Sequence, residues 1–126
     1  MIWILLILLC QCNTQTIDIK PEIVIEGKWG HEIGEFGIIT DGTPPQGPES
    51  FCVDKDGNIY VLDVMNYRIQ VFDKNGKTLN VIKYDRVYDL PDNLCVDEKG
   101  NLYLLTEKYQ IIIFSNKGDK IDSLEI

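Results

Sequence analysis

An internal repeat constrains the fold of this chain more than any other feature of its sequence. Residues 48–79 return in weaker form at residues 91–124, with Cys52 aligned to Cys95 at an offset of 43 residues. After Leu105 the second copy lacks one residue, so that the offset falls to 42. Self-similarity at this period is typical of repeat architectures, in which each copy is one supersecondary unit that stacks on its neighbours.

Each copy alternates short apolar runs with four-residue turns, which is the pattern of consecutive β-hairpins. The turns open with Asp or Ser and close with Gly, and they are Asp54–Gly57, Asp73–Gly76, Asp97–Gly100 and Ser115–Gly118. The side chain at the first position can accept hydrogen bonds from backbone N–H groups two residues on, and the closing glycine can adopt a positive φ. We therefore expect positive φ at Gly57, Gly76, Gly100 and Gly118.

Four strands in a repeat of about 40 residues predict a propeller blade. The predicted fold class is all-β, with two four-stranded antiparallel blades at about residues 48–83 and 91–126. The alternating segment Glu22–Glu26 (EIVIE) is predicted to be a leading strand, and the glycine-rich residues 27–47 an irregular connection. The folded region is thus expected to span residues 22–126.

The first residues resemble an export signal. Met1–Cys10 (MIWILLILLC) is apolar but too short to cross a hydrocarbon core of about 30 Å. Ile7–Cys10 resembles a bacterial lipobox, which makes Cys10 the candidate for lipidation. We expect residues 1–12 to be an export or lipobox-like segment and residues 13–21 a tether, so that an N-terminal lipid holds the protein at the bacterial cell envelope. A plain secretory signal and a short membrane-associating tail are the alternatives.

Composition excludes several classes of function. The net charge of −8 and the absence of a basic patch argue against nucleic-acid binding. His31 is the only histidine, and Asp54–Asn58 has its glycine at the fourth position, where a calcium loop of the EF-hand type needs it at the sixth. The sequence also lacks a nucleophile motif and a phosphate-binding loop. No metal, cofactor or catalytic residue is predicted.

Asp63 and Arg68 form the one polar pair that the internal comparison singles out. The second copy replaces both together, with Thr106 and Gln110. Joint loss is expected of an ion pair, because one charge left alone between blades would be costly. We predict that Asp63 and Arg68 face each other across the mouth of a hairpin, with the guanidinium donating two N–H groups to the carboxylate.

Two further sets of residues have a structural interpretation. Cys52 and Cys95 are expected to be buried thiols between blades rather than a disulfide, because equivalent strands of neighbouring blades lie about 10 Å apart. The aromatic side chains at the blade edges could line a ligand surface but are expected to pack instead; they are Trp29, Tyr67, Tyr84 and Tyr88.

The residues from Gly34–Gly37 through Gly47-Pro48 to Phe51–Lys77 resemble the NHL repeat of six-bladed β-propellers. The resemblance implies about 250 residues for a closed ring, so that this chain is a truncated form or completes itself by association. With only two blades present, one apolar face on each side is expected to be open. A membrane-anchored binding or scaffold module without catalysis is the expected function, with an unidentified protein or glycan as its ligand. A fragment of a propeller hydrolase or lyase, with its active site in missing blades, is the alternative.

Overall fold

The computed structural model describes residues 20–41, 44–86 and 90–126. In this part of the chain eight strands form two four-stranded antiparallel sheets, each in sequence order. Blade 1 contains β1 (Ser50–Val53), β2 (Ile59–Asp63), β3 (Arg68–Phe72) and β4 (Thr78–Lys83). Blade 2 contains β5 (Pro91–Val96), β6 (Leu102–Thr106), β7 (Gln110–Phe114) and β8 (Lys120–Glu125). The predicted all-β class with two propeller blades is confirmed.

The strands form where β-branched and aromatic residues occur in short runs between turns. In β2 the side chains of Tyr60 and Leu62 are buried, whereas those of Ile59 and Val61 on the opposite face are half-buried. Apolar residues on both faces indicate a sheet that lies between two neighbours. A sheet with one face in water would alternate apolar and polar residues instead.

The two sheets approach each other most closely at their first strands, β1 and β5. Ser50 Oγ on β1 lies 3.2 Å from Asn93 Oδ1 on β5, and these two residues are equivalent in the repeat. The blades therefore diverge from a common inner edge toward β4 and β8, as blades around an axis do. The core between them is apolar, and its fully buried members are Leu62, Ile69, Leu102, Leu104 and Ile112.

The predicted leading strand at Glu22–Glu26 is not a strand in the structure. These residues have no regular secondary structure and pair with no strand in the described part of the chain, and Ile23 is 80% exposed. A strand needs a partner edge for its backbone N–H and C=O groups, and the described residues offer none at this position. The segment between these residues and β1 contains two isolated β-bridges, which pair Trp29 with Phe36 and Ile39 with Gln46.

All four turn glycines have positive φ, between 82° and 91°. In the turn of blade 1 that ends at Gly57, Asp54 Oδ1 accepts hydrogen bonds from the backbone N–H groups of Asp56 and Asn58 at 2.9 Å. Gly57 N–H donates to the Asp54 carbonyl at 3.1 Å. The turns therefore form as the local sequence predicts, through an acceptor at the first position and a left-handed glycine at the fourth.

We expect Gly76→Ala to destabilise the fold more than Gly57→Ala. Both would place a Cβ at a positive φ, at a cost of about 1–2 kcal/mol. At Gly76 the new Cβ would also collide with the backbone carbonyl of Val24, whereas at Gly57 its nearest neighbour is the Lys74 Cβ at 3.5 Å. Thermal unfolding of the two variants measures the difference, and equal melting temperatures would contradict the expectation.

Gly47→Ala is the matched control, since its nearest neighbours are Trp29 ring atoms at 3.5 Å. Gly27 is unsuitable as a control. A Cβ there would come within 2.5 Å of the Phe36 ring and 2.6 Å of the Gly34 carbonyl.

Candidate functional site

The structure brings Asp63 and Arg68 together at the mouth of the β2–β3 hairpin, where the two residues are register partners. Arg68 Nε donates to Asp63 Oδ2 at 2.7 Å. The Asp63 side chain is fully buried, and that of Arg68 is 7% exposed. The pair is therefore shielded from water, where an ion pair is strong but expensive to break.

The predicted bidentate hydrogen bonding of Arg68 to Asp63 is wrong, because only Nε of Arg68 donates to the carboxylate. The terminal nitrogens donate to backbone carbonyls instead: Nη1 to His31 at 2.8 Å, and Nη2 to Glu32 at 2.8 Å and Glu35 at 2.9 Å. The guanidinium thus joins blade 1 to the Gly30–Gly37 loop, which precedes it by more than thirty residues. Its role is to fix this loop on the blade.

Three further groups complete the buried polar cluster around Asp63. Gly37 N–H donates to Asp63 Oδ1 at 2.8 Å, and Asn66 Nδ2 donates to Oδ2 at 2.9 Å. Gln70, which is fully buried, accepts from Gly34 N–H at 2.8 Å and donates to the Glu35 carbonyl at 2.7 Å. Each polar group thereby has a partner, as a buried cluster requires.

Sequence reasoning missed Gln70, although a signal was present. Gln70 occupies the middle of β3, between Ile69 and Val71, and its equivalent in the second copy is Ile112. A polar residue that replaces a core residue points to a buried hydrogen-bond partner. In blade 2 the cluster is absent from the described residues, and Thr106 Oγ1 instead accepts from Gln110 N–H at 3.3 Å.

The turns at the opposite end of the blades form an open groove of about 450 Å³, with acidic side chains from both blades. Asp54 Oδ2 accepts from Asn58 Nδ2 at 2.8 Å and from the Tyr60 hydroxyl at 3.1 Å. Asp97 makes the same contacts in blade 2, with Asn101 and Tyr103. The carboxylates of Asp54 and Asp97 are thus engaged by side chains of their own blades and stabilise the turns.

Desolvation by itself would raise the pKa of Asp54, but the hydrogen bonds from Asn58, Asp56 and Tyr60 hold that pKa below its ordinary value. A lowered folded-state pKa stabilises the protein above the unfolded-state pKa and ceases to do so as the pH falls through the folded-state value. Asp54→Asn should therefore lower the melting temperature at pH 7, and the difference from the unmodified protein should shrink as the pH falls below about 4. Asp56→Asn, which removes an exposed carboxylate from the same turn, is the control. A pH-independent difference for Asp54→Asn would contradict the expectation.

The inner edge of the two blades presents carboxylates at the end where Asp63 and Arg68 lie. Glu49 precedes β1, its N–H donating to the Leu62 carbonyl at 3.2 Å, and Asp92 is its equivalent at the start of β5. A cleft of about 70 Å³ lies between them, with Glu107 on its wall. The register of β5 shifts between Pro91 and Asn93, so Asp92 lies at a β-bulge. Bulges of this kind often re-aim a side chain next to an active site.

The described residues do not form a metal site, since they contain no group of three or more His, Cys, Asp or Glu side chains able to hold an ion. His31 Nδ1 lies 2.6 Å from Asn66 Oδ1, which places the histidine in the polar cluster. Within residues 20–41, 44–86 and 90–126 no helix is long and apolar enough to cross a membrane. Cys10, the lipidation candidate, lies outside the described residues, as do Cys12 and Tyr88.

Cys52 and Cys95 are both free thiols, but only Cys52 packs against the core between the blades. Burial, together with Cys95 and Asp54, raises the pKa of Cys52 to about 12, so its thiol is unreactive at neutral pH. The predicted burial of Cys95 is wrong, because this residue is exposed. It lies on the face of blade 2 that points away from blade 1, and no further blade covers this face in the described part of the chain.

The aromatic residues are divided between packing and exposure. Tyr67 and Tyr84 pack edge to face with ring centroids 6.1 Å apart, and the Arg86 guanidinium lies 4.8 Å from the Tyr67 centroid. Trp29 is 61% exposed. The Tyr84 hydroxyl is buried and has no hydrogen-bond partner among the described residues, and burial raises its pKa.

Comparisons with known proteins agree with this architecture. The NHL repeat matches residues 46–72. No curated protein matches the chain. Similar solved structures include regucalcin, a calcium-binding protein from Agrobacterium tumefaciens, with a TM-score of 0.53 and 16% identity over 66% of this chain and 34% of that one.

Two of the similar structures are of proteins named as enzymes. A streptogramin B lyase has a TM-score of 0.53 and 19% identity over 71% of this chain and 30% of its own. A luciferin-regenerating enzyme has a TM-score of 0.52 and 19% identity over 66% of this chain and 33% of its own. The chain thus spans about a third of the length of these structures.

These matches correct the prediction of a module without catalysis, because proteins with this fold include enzymes. The expected resemblance to NHL propellers is confirmed by the repeat match and by the structural neighbours. Two four-stranded antiparallel blades that converge on an inner edge, with one of them matching the repeat, identify the architecture. Residues 46–72 match the NHL repeat, and the described residues have the fold of two β-propeller blades.

Proposed function

We propose that the two blades are part of a β-propeller enzyme of the hydrolase or lyase type. The observation that carries the proposal is the fold that the chain shares, over about two thirds of its length, with a lyase and a luciferin-regenerating enzyme. Since the chain spans about a third of those structures, the remaining catalytic groups come from further blades. These two blades supply one side of the site.

Glu49 and Asp92 are the groups that we assign to catalysis. They occupy equivalent positions in the repeat, Glu49 immediately before β1 and Asp92 in β5, and both line the cleft; Asp92 lies at a bulge. A carboxylate in this position can remove a proton from water in a hydrolysis or from the substrate in an elimination. Calcium binding, which is named for regucalcin, plays no part in the proposal because the described residues lack a ligand set for it.

Glu49→Gln and Asp92→Asn should each lower kcat at least about tenfold, since general acid–base groups contribute about 10²–10⁴-fold. The assay measures lactone and ester hydrolysis, and β-elimination from acyclic esters, by the full chain. Glu98→Gln, which removes a carboxylate at the opposite end of the blades, is the matched control and should leave kcat unchanged. If the Glu49 and Asp92 substitutions leave turnover unchanged, the assignment of these residues is overturned. If the unmodified protein shows no turnover in any of these assays, the enzyme proposal is overturned.

We further propose that the protein is exported and anchored to the membrane through a lipid on Cys10. Support comes from the apolar run that ends at Ile7–Cys10. Radiolabelled palmitate should be incorporated in an export-competent bacterium and should be lost in Cys10→Ser. Label that persists in Cys10→Ser would contradict the anchor.

A further inference from the structure

Blade 1 and blade 2 each leave one apolar face without a partner sheet in the described part of the chain. The leading face belongs to blade 1, and its residues are Phe51, Val53, Ile59 and Val61. The trailing face belongs to blade 2, and its residues are Cys95, Tyr103, Leu105, Ile111 and Leu124. Phe51 is 68% exposed and Leu124 is 49% exposed.

The internal repeat shows what each open face fits. The residues equivalent to the trailing face, one repeat earlier, are Cys52, Tyr60, Leu62, Ile69 and Ile82, and they form blade 1's side of the buried interface. The residues equivalent to the leading face, one repeat later, are Leu94, Val96, Leu102 and Leu104, and they form blade 2's side of the same interface. At these positions the two open faces therefore match the two halves of the interface between blade 1 and blade 2.

We propose that the trailing face of one copy of this chain docks on the leading face of a second copy, head to tail. Such an interface joins two different surfaces, and repetition produces a closed ring when the rotation permits. The matched propellers are about three times as long as the part of them that this chain covers, so a ring of this kind closes with three copies. The proposal does not depend on catalysis.

One local contact shows how the second copy is accommodated. Within the chain, Ile82 on β4 lies beside Gly118 in the β7–β8 turn, whereas the equivalent glycine in blade 1, Gly76, lies beside Val24. Leu124 on blade 2 is the repeat equivalent of Ile82 on blade 1. In the docked pair, Leu124 of one copy therefore lies beside Gly76 of the other copy, in the place that Val24 occupies within a single chain. Residues 22–26 can be displaced because they pair with no strand in the described chain.

Sedimentation velocity of the full chain tests the proposal. The unmodified protein should sediment at three times the mass of one chain at micromolar concentration. Phe51→Glu on the leading face and Leu124→Glu on the trailing face should each abolish this species. Both side chains are largely exposed, at 68% for Phe51 and 49% for Leu124, so circular dichroism should show unchanged strand content. Ile33→Glu, at a 67% exposed position on the Gly30–Gly37 loop, is the matched control and should leave the trimer intact.

Mixing the two blocked variants distinguishes head-to-tail docking from other association. Each variant keeps one intact face, so the mixture should form a one-to-one dimer and nothing larger. Alkylation of Cys95, followed by peptide mass spectrometry, should be slower in the unmodified trimer than in Leu124→Glu. A monomer at all concentrations would overturn the proposal, and the open faces would then be covered by further blades or by another protein. Association that neither substitution changes would also overturn it.

Discussion

Arg68→Ala should lower the free energy of unfolding by about 3–5 kcal/mol, the usual cost of removing one partner from a buried ion pair. The substitution leaves the Asp63 carboxylate, which is fully buried, without its cation. It also removes the donors that Arg68 supplies to three carbonyls of the Gly30–Gly37 loop. Urea unfolding of the full chain measures the loss, and limited proteolysis should show faster cleavage within this loop.

Two related variants separate the contributions. Arg68→Lys should recover little stability, because one ammonium group cannot reach the carboxylate and the loop carbonyls together. The double change of Asp63→Thr and Arg68→Gln, which copies the second repeat, should cost less than the sum of the single changes because it leaves no buried charge. Additive losses, or full stability in Arg68→Lys, would show that the cluster does not act as a unit.

Leu104→Ala should destabilise the protein by about 2–5 kcal/mol, as is typical when a fully buried leucine is truncated. Leu104 has no exposed surface and lies in the core between the two blades. Leu79→Ala is the matched control, since Leu79 is a strand residue that is 53% exposed and should cost less than about 1 kcal/mol. Thermal unfolding measures both, and equal losses would mean that the interface between blades contributes little to stability.

The features that the sequence predicts well are local or repeated. The turn that ends at Gly57 forms from contacts between Asp54 and its neighbours within four residues, so the sequence pattern and the structure coincide. The strand order follows for the same reason, because each strand pairs with the next one along the chain. Asp63 and Arg68 are distant in sequence from the loop that they hold, but their joint replacement in the second repeat indicated their contact with each other.

The features that the sequence does not predict depend on distant contacts. The number of donors that Arg68 offers to Asp63 is set by the carbonyls of His31, Glu32 and Glu35, which compete for the guanidinium. Nothing in the local sequence places those carbonyls there. The Glu22–Glu26 segment alternates like a strand, yet pairing requires an edge that the described residues do not provide. Glu49 and Asp92 come together only because β1 and β5 meet, which neither local sequence predicts.

The propeller arrangement requires that the two blades converge at β1 and β5 and diverge toward β4 and β8. Disulfide formation tests it most directly, in a background where the four native cysteines are replaced by serine. Ser50→Cys with Asn93→Cys places thiols on equivalent inner positions whose side chains lie 3.2 Å apart, whereas Leu79→Cys with Ile121→Cys places them on the outer strands. At low protein concentration under mild oxidation, the inner pair should form an intrachain disulfide and the outer pair should not. Equal cross-linking of the two pairs, or cross-linking of the outer pair alone, would contradict the propeller arrangement.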